Sequence, residues 1–130
     1  MHERKTPGKM AVDFGFTHEQ YCQRAEELAL REEAVEQYVF VRLHAREGEE
    51  NTVEQALRDV AGPSREEQGC LSFHLFRSLR DRRLFYIHSR WRDEAAFQTH
   101  AELPHTVRFL ERVDALLDQP RDVARTELIG

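Results

Sequence analysis

The chain has 130 residues, 40% of them apolar, and a formal net charge of −5, which fits one globular domain with a single core and excludes a disordered polypeptide. Acidic and basic residues are interspersed, so neither a nucleic-acid footprint nor a polybasic membrane anchor stands out. No apolar run approaches the ~20 residues that span a bilayer.

Residues 1–16 are polar or mixed, and Met10 offers an alternative start. Met1 to Lys9 is basic, but no apolar stretch follows it, so no signal peptide is expected. Two cysteines, Cys22 and Cys70, cannot build a disulfide framework. They read as free thiols of a reducing compartment, which gives a cytoplasmic location.

From Thr17 to about Glu36 the period is helical, with Tyr21, Ala25, Leu28, Ala29 and Val35 on one face. The period then becomes two. Val39, Val41, Leu43 and Ala45 alternate with Phe40, Arg42, His44 and Arg46, which predicts a half-buried strand ended by Gly48. Asn51 and Glu54 have the spacing of a capping box. Val53, Ala56, Leu57, Val60 and Ala61 then form a helical stripe. Gly62-Pro63 predicts an interruption, with helix resuming over Ser64 to Gln68 and stopping at Gly69.

Cys70 to Arg77 reads as a second strand, with Leu71, Phe73 and Leu75 on one face and Ser72, His74 and Phe76 on the other. A polar turn leads into a third strand, Leu84 to Trp91. Asp93 caps a short helix carrying Ala96 and Phe97, and Leu103-Pro104 breaks it. A helix from about His105 to Leu117 and a last strand from Asp122 to Ile129 complete the chain. The order strand, helix, strand, strand, helix, strand is the α+β, ferredoxin-like split βαβ arrangement. It predicts a domain over 37–130, preceded by an extension, 1–36, with its own helix. Helices cover one sheet face. The other carries Phe40, Phe76 and Tyr86 among polar groups, which argues for a homodimer through that face.

Particular stretches resemble a known family. Arg65-Glu66-Glu67-Gln68-Gly69-Cys70-Leu71-Ser72-Phe73 resembles the helix-to-strand segment of the antibiotic-biosynthesis monooxygenase and quinol-monooxygenase-like proteins. Trp91-Arg92-Asp93-Glu94-Ala95-Ala96-Phe97 is similar to their Trp-x-Asp-x-x-Ala stretch, and His100 and Pro104-His105 to the spaced His and Pro-His that follow. The resemblance runs from about Tyr38 to the end. It implies a dimeric α+β barrel with a pocket between each sheet and its helices. Some members oxidise phenolic or quinol substrates with O2 and neither metal nor flavin; others degrade haem or isomerise small sugars, so the family fixes fold better than chemistry. Two positions depart from the pattern: Ser89 stands where many members carry Glu, and Gln68 replaces the usual Pro. The axial histidine of haem-degrading relatives falls at about Leu110, which cannot ligate iron.

These readings give the candidate site. Phe73, Ser89, Trp91 and Phe97 are candidate substrate-binding residues, with Trp91 either a pocket wall or a core residue under the helices. His100 and His105 are candidate catalytic bases, because imidazole titrates near neutral pH; the alternative is a helix-cap His105 and a packed His100. His44, His74 and His88 share a sheet face, either as a metal site or as the lining of a polar dimer cavity. The leading expectation is a cofactor-independent monooxygenase acting on a small aromatic or quinol-like compound, with no cofactor and no metal. The alternatives are a non-redox binding or detoxification module of the same fold, and a metal-dependent enzyme built on the three sheet histidines.

Overall fold

The computed structural model describes residues 35–130. The helix expected from Thr17 lies outside these residues except at its last two positions, Val35 and Glu36, which are not helical. Four strands, β1 (Gln37–His44), β2 (Cys70–Arg77), β3 (Leu84–Trp91) and β4 (Asp122–Thr126), accompany three helices. These are α1 (Glu50–Arg65), α2 (Glu94–Glu102) and α3 (Pro104–Asp114). The sheet is antiparallel, in the order β2-β3-β1-β4. This is the expected α+β, ferredoxin-like arrangement.

The alternation in the strands decides which face is covered. Val39 and Leu43 of β1, Phe73 of β2, and Phe85, Ile87 and Trp91 of β3 are buried. They pack with Leu57 and Val60 of α1 and Phe109 and Val113 of α3 in one core. On the opposite face Phe40, Phe76 and Tyr86 are exposed.

Four local expectations need correction. Asn51 does not cap α1: the helix begins at Glu50, Glu49 occupies the cap position, and no side chain caps it. Glu54 is drawn instead into ion pairs with Arg58 (2.8 Å) and with Arg77 of β2 (2.6 Å). Nor does Pro63 interrupt α1, which is continuous to Arg65. Only the last turn lacks a donor there, and Ser64, fully buried, is held by packing. The backbone N–H groups of Glu66 and Glu67 then donate to Pro63 and Ser64 (3.2 Å each), a tightened turn in place of further helix.

Leu71 does not share the inner face with Phe73. The pairing runs Cys70 to Trp91 and then Ser72 to Arg90, so Leu71 is the extra residue of a β-bulge and is left exposed. Strand β4 ends at Thr126 rather than Ile129, and Leu128 and Ile129 face outward.

The three sheet histidines also separate. His74 lies directly opposite His88, as the turn between β2 and β3 requires. The β1 residue opposite His88 is Phe40, which leaves His44 four positions, or about 13 Å, further along its strand. His44 is held elsewhere: Nδ1 lies 2.8 Å from Asp118 and Nε2 2.8 Å from Asp81. These two carboxylates come from the β2–β3 turn and the α3–β4 loop, and pairing with them raises the His44 pKa above its ordinary value.

Candidate functional site

The break between α2 and α3 builds the site. Asp93 accepts a hydrogen bond from the Ala96 N–H (2.8 Å) and fixes the start of α2. Leu103 is extended, and Pro104 opens α3. His100 in the last turn of α2 and His105 in the first turn of α3 therefore face one another, with ring centroids 6.1 Å apart.

Between them stands Glu67, from the tight turn after α1. One carboxylate oxygen, Oε2, lies 2.8 Å from Nδ1 of His100 and 2.7 Å from Nε2 of His105. An ionised carboxylate only accepts, so both imidazoles donate to it. That fixes the His100 tautomer: Nδ1 carries the proton, and Nε2, across the ring, keeps its lone pair. Thr106 Oγ1 lies 3.3 Å from the same Nδ1. Burial holds the His100 pKa below its ordinary value, and the Glu67 hydrogen bond opposes this only in part. Burial thus favours the neutral form of His100.

A cavity of about 120 Å³ lies between the sheet and helices α2 and α3. Phe73, Ser89, Phe97 and His100 all line it, with Val39, Ile87 and Phe109 adding apolar wall. Thr106 also lines it, and Arg121 and Val123 close it from the β4 side. Two of the expected residues are not on its surface. Trp91 is fully buried behind His100, with ring centroids 4.3 Å apart, and its indole N–H donates to Ser89 Oγ (2.9 Å). His105 does not line the cavity and is linked to it only through Glu67 and then His100. A larger groove, open to solvent, runs along the edge of β2 past Arg58, His74 and Arg77, and holds none of these residues.

Glu67 and Thr106 are partners of His100 that sequence reasoning missed. Glu67 is one of two successive glutamates beyond a helix, and nothing in its spacing aims it at His100. The tight turn and the bulged start of β2 place it there. Gly69 permits the close approach, since a Cβ there would lie 2.3 Å from Cβ of Ala96 on α2.

The sequence profile of the antibiotic biosynthesis monooxygenase family matches residues 37–112. The chain belongs to this family. Within antibiotic biosynthesis monooxygenases and their kin, it is 38% identical over 65 residues to the Bacillus subtilis (strain 168) protein "Putative monooxygenase YcnE", spanning 50% of this chain and 68% of that one. The crystal structure of PA3566 from Pseudomonas aeruginosa is 31% identical, with a TM-score of 0.69 over 75% of this chain and 98% of that one. Rv0793 from Mycobacterium tuberculosis, at 24% identity, shares the fold with a TM-score of 0.70 over 73% and 96% of the two chains. The matched stretch contains the cavity residues from β1 to α3 together with Glu67, His100 and His105. No described helix is long and apolar enough to cross a membrane.

Proposed function

We propose that residues 37–130 form a cofactor-independent monooxygenase that oxidises a single-ring phenolic or quinol-like compound with O2. One observation carries this reading. His100 is oriented through Nδ1 by Glu67 and lines an otherwise largely apolar cavity, and its burial favours the neutral imidazole. Such an imidazole suits removal of a phenolic proton at Nε2. The carboxylate steadies the imidazolium that results, as in other His–carboxylate pairs. The electron-rich anion then passes one electron to O2, and the substrate radical and superoxide combine to form a C–O bond. The resulting peroxide anion takes back the proton held on Nε2 of His100, and loss of water from this hydroperoxide, with the hydrogen on the same ring carbon, leaves one oxygen atom on the substrate as a carbonyl.

The volume supports a small substrate. At about 120 Å³ the cavity is near the roughly 150 Å³ that accommodates one benzene ring. Phe73 and Phe97 offer aromatic walls, and Ser89 and Thr106 offer hydroxyls for orientation. The proposal includes a homodimer through the outer sheet face, where Phe40, Phe76 and Tyr86 would be covered. It also includes a cytoplasmic location.

Oxygen uptake with single-ring hydroquinones and phenols tests the reading. The wild-type chain should consume O2, and His100→Gln should slow it by at least about 100-fold, the lower end for a general base. Uptake unchanged in His100→Gln would remove His100 from catalysis. No uptake with any phenol, but a ligand-dependent rise in Tm, would establish the non-redox binding module instead.

A further inference from the structure

Glu67, His100 and His105 bring a carboxylate oxygen and two imidazole nitrogens within 4.8 Å of one another. We propose that this cluster binds one divalent first-row transition cation, zinc being the best match, and that the bound ion switches off His100 as a base. The second half rests on the function proposed above; the first half does not.

Convergence is the first argument. Both ring nitrogens point at the same oxygen, Oε2 of Glu67, from 2.8 and 2.7 Å. A cation at the usual Zn–N distance of about 2.0–2.1 Å from both nitrogens would sit close to where that oxygen now lies. The carboxylate needs only to draw back along its flexible side chain to become the third ligand. The donor set is the second argument. Two imidazoles and one carboxylate suit zinc with an open fourth position. Access is the third. Glu67 and His100 side chains are 10% exposed and His105 19%, so the ligands are partly desolvated yet an ion can enter past His105.

The ligands are also held in place. His100 and His105 sit on either side of the Leu103-Pro104 break, on the ends of two helices. Trp91 stacks on the His100 ring and Phe73 meets it edge-on, with centroids 4.3 and 6.0 Å away. Their geometry is set before any ion arrives.

The consequence for His100 is chemical. A cation on Nδ1 takes that nitrogen's lone pair, and the neutral ring must carry its proton on Nε2. The atom assigned to accept a phenolic proton becomes a donor. A cation on Nε2 of His105 likewise takes the lone pair of that nitrogen.

Competition between the full chain and a chromophoric chelator for Zn2+, after metal stripping, measures the site directly. One equivalent should bind tightly, and Co2+ in its place should give a visible absorption band. His105→Gln and Glu67→Gln, each checked for folding by circular dichroism, should weaken binding by at least about 10-fold, the smallest loss typical of disturbing even an outer partner of a metal. His74→Gln and His88→Gln should leave it unchanged. The absence of a bound equivalent, its survival in both site variants, or its loss with His74 or His88 would overturn the proposal. The two readings fail separately. Zinc binding without any oxygen uptake sinks only the monooxygenase reading; uptake that saturating Zn2+ neither slows nor engages sinks only this one.

Discussion

The imidazole of His100 lies 4.3 Å, centroid to centroid, from the buried indole of Trp91, with the planes 32° apart. The indole packs against the His100 ring and contributes to the burial that depresses its pKa. A residue that does not line the cavity thus helps to bury one that does.

Trp91→Phe should move the His100 pKa back toward 6.5. The smaller ring covers the imidazole less, and Ser89 Oγ loses its indole donor. A titration of the His100 ring protons by NMR reads this; an unchanged pKa would mean the indole is only filler. Trp91→Ala should cost about 3–5 kcal/mol of stability, as for other large core truncations.

The pH dependence of oxygen uptake should rise through a pKa below 6.5, because His100 must be neutral and its pKa is lowered. Glu67→Gln removes the charge that favours imidazolium, so the profile should shift further toward acid while the maximal rate falls. A profile in Glu67→Gln identical to wild type would show that Glu67 does not act through His100.

His44 should affect stability with the opposite sign. Its pKa is raised by Asp118 and Asp81. Its charged-pair contribution is therefore complete below the unfolded value of about 6.5 and is lost as pH rises through the folded pKa. The stability gap between wild type and His44→Asn, by urea unfolding, should be widest at pH 5–6, a window chosen from that ~6.5 reference, and should narrow at alkaline pH.

Gly69→Ala should destabilise the domain by about 1–3 kcal/mol, the usual cost of overpacking, since its Cβ would meet that of Ala96 at 2.3 Å. Chemical denaturation measures the loss. A neutral result would mean that α2 can retreat, and the Glu67 to His100 distance would change with it.

Ser64→Ala should be neutral or stabilising by up to about 1 kcal/mol. Its hydroxyl is fully buried with no hydrogen-bond partner among the described residues, so its removal relieves an uncompensated desolvation. A clear loss of stability would reveal a partner for the hydroxyl.

Periodicity by itself determined the order of elements, the inner faces of β1 and β3 and the helix break at Leu103-Pro104. These features depend on the alternation of side chains and on local backbone chemistry, both written in the chain. The motif resemblance pointed to the family and to His100 and His105. Tertiary structure alone decided the rest. A bulge in β2 turned Leu71 outward, and packing carried α1 through Pro63. Two distant loops claimed His44 and took it away from the other sheet histidines. The meeting of Glu67 with His100 and His105 depends on a tight turn, a glycine contact and a helix junction more than thirty residues apart. Local pattern carries no term for such distances; only the folded chain, with its core closed, brings those three side chains together.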